Sequence, residues 1–280
     1  MLLSLTWLEI KKISVRPRSY IGFVAITLVI LLIQLAMWID GTSYIGFVTQ
    51  NIEQTFLFEG KILNGNLICF IILQTLIIQI PLLIALVTGD LVSGEAANGT
   101  IRLLLTRPVS RTNILLSKFF AGSFYTLLML VWLGILALFV SLVAFGPGDL
   151  IVLKTDEVVI LQSSDVMWRF LTALSLAFLA LTLVGALSMM LSCFTENSIG
   201  PIIITMAIII LFTIVGTMEV PLFDKVKPFL FTTHMIVWRN LFEDPLPVDQ
   251  IRNSILILFG HIVAFLSISL LYFNKKDILS

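Results

Sequence analysis

Gly89 to Lys118 reads GDLVSGEAANGTIRLLLTRPVSRTNILLSK, the most polar interruption between two long apolar segments of the chain. Within it Ile101, Leu104 and Leu105 fall at i, i+3 and i+4, a spacing that gives a short helix one apolar face. Arg102 and Thr106 fall on the other face, and Pro108 ends the helix while restricting Arg107 before it. Ser110 is placed to cap the long helix that follows. A short, stiff, amphipathic helix held between two apolar spans is suited to passing a push between the bilayer and something outside it.

Working outward, the composition sets the medium. Of 280 residues, 59% are hydrophobic and 12% charged, with mean hydropathy +1.08. Globular domains carry about 25% charge, and a soluble fold of this length has no room to hide so much apolar surface. The chain reads as an all-α polytopic membrane protein forming one domain over residues 1–280. Six segments supply the roughly 20 apolar residues that a spanning helix needs: 20–39, 67–88, 113–145, 168–192, 199–218 and 254–273. The third exceeds a span, so it should tilt or project. The basic run Lys11, Lys12, Arg16 and Arg18 precedes an apolar stretch too long for a signal peptide, which reads as a retained first span. Net charge is zero and the basic residues form no long cluster, so nucleic acid is not an expected partner. Cys69 and Cys193 fall near opposite ends of spans and are expected to be unpaired.

Loop charge gives the orientation. One side collects Lys11, Lys12, Arg16, Arg18, Arg102, Arg107, Arg111, Lys118, Lys275 and Lys276. The other has Lys61, Lys154 and Arg169, then Lys225, Lys227, Arg239 and Arg252 in its third loop. The first side is therefore expected to be cytoplasmic, with both termini inside the cell (inner) membrane. Residues 1–18 read either as an amphipathic helix lying in that interface, with Glu9, Lys11 and Lys12 toward water, or as a plain basic flank that sets topology. The last outer loop, Glu219 to Asn253, carries four prolines and an apolar run from Phe229 to Phe242 that is too short to span, so it should be partly folded, re-entrant or interfacial. On the inner side, the turn Ser192 to Ser198 offers Glu196 and Asn197 as a second contact point.

Reactive groups are sparse. No carboxylate or cysteine stands at metal-ligand spacing from His234 or His261, so no catalytic, metal or cofactor residue is assigned. His261, inside the sixth span, is a functional hypothesis by default, but a helix-to-helix hydrogen bond is the plainer reading. Gln34, Gln74 and Gln79 in the first two spans can glue helices or line a path, and packing is preferred. Ser188/Ser192 and Ala173/Ala177 have the small-xxx-small spacing that permits close helix contact, and Pro81 should kink the second span. No GxxxxGK[ST] phosphate loop occurs, so the chain does not hydrolyse nucleotide by that route.

The pattern Glu95-x-x-x-Gly99-Thr100-Ile101-Arg102-Leu103-Leu104-Leu105-Thr106-Arg107-Pro108-Val109-Ser110-Arg111, followed by an apolar helix opening near Lys118, resembles type-2 ABC exporter permeases. It is most similar to the six-span subgroup that includes the permease of the nitrous-oxide reductase maturation system. The resemblance implies that the segment between spans two and three is a coupling helix seated on a separate cytoplasmic P-loop ABC ATPase, which holds the ATP and Mg. It also implies two permease chains, a homodimer, for two ATPases. Ile101, Leu104 and Leu105 would press on apolar surface, while Arg102, Arg107 and Arg111 would meet ATPase carboxylates or lipid phosphates. Glu95 would pair with Arg102 or with the N-terminal basic helix, and Gly99 would permit the tight turn into the coupling helix. Plain positive-inside anchoring is the competing reading of the arginines. The leading expectation is a permease subunit of an exporter. The alternative is an ATPase-driven mechanical transducer acting on an extracytoplasmic protein without carrying a substrate.

Overall fold

The computed structural model describes residues 1–53, 62–100, 108–153 and 158–276. Helices dominate, and six of them are long and apolar enough to cross a membrane, as expected of an α-helical multi-pass protein. Helix α1 (Leu2–Val15) ends at Arg16, whose extended backbone (φ −78°, ψ 128°) is what a following proline enforces. Pro17 then opens α2 (Pro17–Glu53), which is kinked at Asp40. The corner is fastened by Ser19 Oγ donating to the Ile13 carbonyl at 2.6 Å.

The second span is not one rod. It consists of α3 (Gly65–Leu76), α4 (Ile80–Thr88) and α5 (Asp90–Ala97). The first break, over residues 77–79, lies just ahead of Pro81, which has no N–H to return to the carbonyl of Ile77. The kink expected from Pro81 is therefore present as a turn. The other boundary differs from the expectation. The polar stretch after Thr88 continues as helix to Ala97 rather than leaving the bundle, and Asp90, Ser93 and Glu95 are buried. Helix carries on because the protein itself supplies partners for these polar groups, which hydropathy along the chain does not reveal.

The third span, α6 (Arg111–Phe145), starts with Ser110 Oγ accepting from the Asn113 N–H at 3.3 Å, the cap read from the sequence. A π-helical stretch, Ile135–Val140, interrupts it. Such a bulge disturbs the regular ladder. Here Gln34 Nε2 donates to the Leu136 carbonyl and to Ser141 Oγ, both at 3.0 Å. Gln34 is thus a packing residue. Gly146 (φ +81°) turns the chain out of the helix, and residues 146–149 are stitched to the start of α3. Asn64 and Asn66 donate to the Asp149 and Gly148 carbonyls at 2.8 and 2.7 Å.

An antiparallel hairpin follows, β1 (Leu150–Leu153) with β2 (Val158–Leu161), pairing Leu150 with Leu161 and Val152 with Val159. Those four side chains are buried on one face while Ile160 is exposed. This small sheet is the one addition among the described residues to a fold that is otherwise helical as expected, and four-residue strands are too short to announce themselves by alternation. The fourth span, α7 (Ser163–Phe194), packs against α4, α5, α6 and the last two spans, α8 (Gly200–Thr217) and α11 (Val248–Lys275). It is the axis of the bundle. Ala173, Ala177, Ser188 and Ser192 lie in its contacts fully buried.

Between α8 and α11 the chain makes α9 (Pro221–Asp224), a 3₁₀ turn (Lys227–Phe229), α10 (Phe231–Met235) and a second 3₁₀ turn (Val237–Phe242). Phe231, Trp238 and Phe242 are buried, and Phe242 meets both Phe70 and Phe170 at ring-centroid distances of 5.0 and 5.1 Å. This segment is a folded cap across one end of the bundle. Arg169 latches it down, donating to the Leu241 and Glu243 carbonyls at 2.6 and 2.9 Å while pairing with Asp165 at 2.7 Å. Arg169→Met should remove both hydrogen bonds to the cap and cost about 3 kcal/mol. The expected readout is a lower thermal midpoint in detergent and faster protease cleavage within Val237–Phe242.

Candidate functional site

At the end of the bundle that gathers the chain's basic residues, α1 packs on α6 and reaches α5 through its charged side chains. Four charged side chains close a ring there. Lys12 Nζ sits 2.7 Å from Glu9 Oε1 and 2.9 Å from Glu95 Oε1. Lys118 Nζ sits 2.9 Å from Glu9 Oε2 and 2.8 Å from Glu95 Oε2, the latter an ion pair whose angle is not that of a hydrogen bond. Positive and negative groups alternate, and the ring is neutral. Lys118 is wholly buried, Glu9 and Glu95 nearly so, and Lys12 is half-exposed. A second clamp lies beside it, with Arg16 and Arg18 reaching Asp90 at 2.7 and 3.3 Å.

The ring reverses one expectation. Glu9 was expected to face water, yet it points into the bundle, and Leu3, Trp7 and Leu8 face out. The helical wheel of α1 places its charges toward the most polar surroundings. In this protein those are Lys118 and Glu95 rather than solvent. The outward apolar side suits a helix lying along a lipid surface.

Helix α5 is held just as closely from its other side. Ser192 Oγ accepts from the Ser93 N–H at 2.8 Å and from the Val92 N–H at 3.3 Å, two donors freed where α5 restarts after Gly89. Ser188 Oγ donates to the Ala85 carbonyl at 3.3 Å. A Cβ added at Gly89 would come within 2.8 Å of Ser188 Oγ, so the small residues bring these two spans together. The chain leaves α5 through Gly99, whose φ of +69° favours glycine. Thr100 is exposed and donates to the Glu95 carbonyl at 3.2 Å.

Ile101, Arg102, Leu104, Leu105 and Arg107 lie outside the described residues. Pro108 is exposed at the head of α6. Arg111 donates to the carbonyls of Phe273, Asn274 and Lys276 at 3.2, 3.2 and 2.8 Å, where a cation meets the negative end of α11. Its guanidinium thereby ties the C-terminal helix to the same end. Of the expected partners of Glu95, the N-terminal helix reaches it through Lys12, Lys118 joins it, and Arg102 lies outside the described residues. Glu196 and Asn197 sit exposed in the turn after α7, where Asn197 Oδ1 accepts from the Ile199 N–H.

The remaining candidates are dispersed. His261 Nδ1 lies 2.8 Å from the Ile257 carbonyl of its own helix, with its ring among Phe231 and Phe265. Gln74 and Gln79 are exposed on the second span. Among the described residues no group of three His, Cys, Asp or Glu comes together as metal donors. The ring is not visible in the sequence because its members are up to 109 residues apart. A lysine within an apolar helix and a glutamate between Leu8 and Ile10 were the available signals.

The ring makes its own prediction. Lys118→Met strands two buried carboxylates, so it should cost about 3–5 kcal/mol. The double variant Glu9→Gln/Lys118→Met should recover part of that loss, as a double-mutant cycle in detergent would show. Burial works to lower the Lys12 pKa, but hydrogen bonds and charges from Glu9 and Glu95 outweigh it and raise the value above 10.5. A raised folded-state value gives stability that is complete below 10.5 and fades as pH climbs through the higher folded value. A spin label on Ser4→Cys should accordingly stay immobile from pH 6 to pH 9 and loosen only in stronger alkali.

A curated relative is the uncharacterized protein YhcI of Bacillus subtilis (strain 168), 26% identical over 201 residues. The match takes in 69% of this chain and 63% of that protein, so the chain spans somewhat under two thirds of its relative's length. The family model described as "Protein of unknown function (DUF2705)" matches residues 27–279, nearly the whole chain, and the protein therefore belongs to that family.

Proposed function

We propose that the chain is the membrane subunit of an ATP-binding cassette exporter, driven by a separate cytoplasmic P-loop ATPase that carries the ATP and Mg. Two copies of the chain would serve one pair of motors. On this reading the basic end faces the cytoplasm, as the loop charges favour. Segment 101–107, with its apolar Ile101, Leu104 and Leu105 and its basic Arg102 and Arg107, is the lever that the motor grips.

The observation that carries the proposal is the buried charge ring. It joins the two ends of the gripped segment, Glu95 before it and Lys118 after it, to each other and to α1. A force delivered between them then moves α5, α6 and α1 together instead of bending a loop. Packed interfaces of this kind switch between discrete arrangements rather than deforming continuously. Ser192 extends the hold to α7, the axis of the bundle. The assignment also gives Gly99 a purpose, since it turns the chain sharply where the lever begins.

The test is association. Co-expressed with a candidate P-loop ATPase, the chain should co-purify with it and stimulate its hydrolysis. Arg102→Glu/Arg107→Glu should weaken that association by about tenfold or more while leaving membrane insertion unchanged. Thr100→Cys should react with a thiol reagent applied from the cytoplasm. Reaction only from outside, or unaltered coupling in the double reversal, would overturn the proposal.

A further inference from the structure

The spans differ sharply in how much surface they leave outside the fold. Over residues 80–97 the second span is 72% buried, against 28%, 22% and 22% over the most apolar stretches of the first, fifth and sixth. From residue 65 to residue 96 the exposed side chains are confined to 74–82, so the second span has one narrow outlook, and α2 and α8 both pack on the α4 part of it. What fills it is unusual for a surface facing hydrocarbon. Gln74, Thr75 and Gln79 are exposed there together with Ile78 and Leu82, around the break at residues 77–79. Thr75 satisfies its hydroxyl on the Ile71 carbonyl of its own helix. Neither glutamine side chain has a hydrogen-bond partner among the described residues.

Depth sharpens the point. At 1.5 Å per residue, Gln79 stands about 16 Å along the helix from Asp90, and Gln74 about 15 Å from Asn64 at the other end. Both amides then fall in the middle part of a hydrocarbon layer about 30 Å thick. Lipid tails offer them no donor or acceptor. Gln34 shows how this fold treats an amide it buries for itself: two hydrogen bonds to the neighbouring helix.

We infer that this window is the contact face for a second copy of the chain, with Gln74 and Gln79 hydrogen-bonding across a two-fold axis. A two-fold interface must be self-complementary, because the same patch meets itself. A side-chain amide meets that demand: each carries donors and an acceptor, so two copies of one glutamine satisfy each other. The patch also lacks any charge that would repel its twin, and interhelical amide bonds are an established glue between spans. The inference deepens the proposed function by locating the pairing of two chains. It does not depend on the motor, because pairing can be read without one.

The experiment is cysteine cross-linking in native membranes, on a Cys69→Ala/Cys193→Ala background. Gln79→Cys and Gln74→Cys should give an oxidised dimer at several times the yield of Leu256→Cys and Phe259→Cys, exposed positions on the last span. Equal yields at all four positions would overturn the inference. So would no dimer with ready reaction toward a membrane-impermeant maleimide, which marks a water-lined wall. No dimer and no reaction would mark a lipid face and overturn it as well. Gln74→Leu/Gln79→Leu, which makes the span more apolar and should insert well, gives a second reading. Its dimer fraction, measured by energy transfer between labelled chains in vesicles, should correspond to a threefold to tenfold weaker association. An unchanged fraction would overturn the contact. Loss of ATPase binding alone would count against the proposed function and leave this face intact.

Discussion

Two ammonium groups and two carboxylates in an alternating ring, buried except for the half-exposed Lys12, set the geometry of the basic end of this protein. Each ion has paid for its desolvation only because two opposite charges flank it. The hydrogen bonds that accompany three of the four contacts are short-ranged and directional, so the ring tolerates little displacement of α1, α5 or α6. Lys118 is the least replaceable member, since it is fully enclosed and touches both carboxylates. The neighbouring clamp of Arg16 and Arg18 on Asp90 adds a second point of attachment one helical turn and more away along α5. Two points fix the angle between α1 and the second span where one would leave a pivot.

The same logic recurs wherever the backbone departs from a regular helix. The π-helical stretch of α6 is met by Gln34, the restart of α5 by Ser192, the end of α11 by Arg111 and the folded cap by Arg169. In each case a polar side chain from a distant segment binds a main-chain group that a straight helix would have satisfied internally. An apolar medium makes this necessary, because water is not there to do it. Irregularity and tertiary fastening therefore come in pairs. Many other hydroxyls of the spans return to a carbonyl of their own helix, and Gln74 and Gln79 stand apart because the described residues provide no counterpart for them.

How much of this was legible in advance follows from range. The six spans were readable because a run of about twenty apolar residues is a local property, and Pro81 announced the break in the second of them. Ser110 as a cap and Gly99 as a turn were readable for the same reason. The continuation of helix from Asp90 to Ala97 was not, because its polarity looks like a loop until Lys12, Lys118 and Arg16 are placed beside it. The inward direction of Glu9 was missed on similar grounds: a wheel shows which residues share a face, not what that face meets. The hairpin at Leu150–Leu153 and Val158–Leu161 was too short for its period to register.

The breaks in the second span give the bundle its mechanical character. A straight rod from Gly65 to Ala97 would carry any displacement at one end directly to the other. Instead α5 is bound to α1 and α6 by charge, α4 is packed on α7, and α3 is stitched to the segment after α6 by Asn64 and Asn66. The three pieces thus answer to different neighbours, with turns at residues 77–79 and at Gly89 where they can change angle. On the proposed reading, motion entering at Glu95 reaches α4 through a joint and through the serine contacts with α7. The turn at 77–79 then lies beside the window of exposed glutamines. A change of angle at that turn would alter how Gln74 and Gln79 face a second chain, so the joint and the pairing surface are one place in the fold.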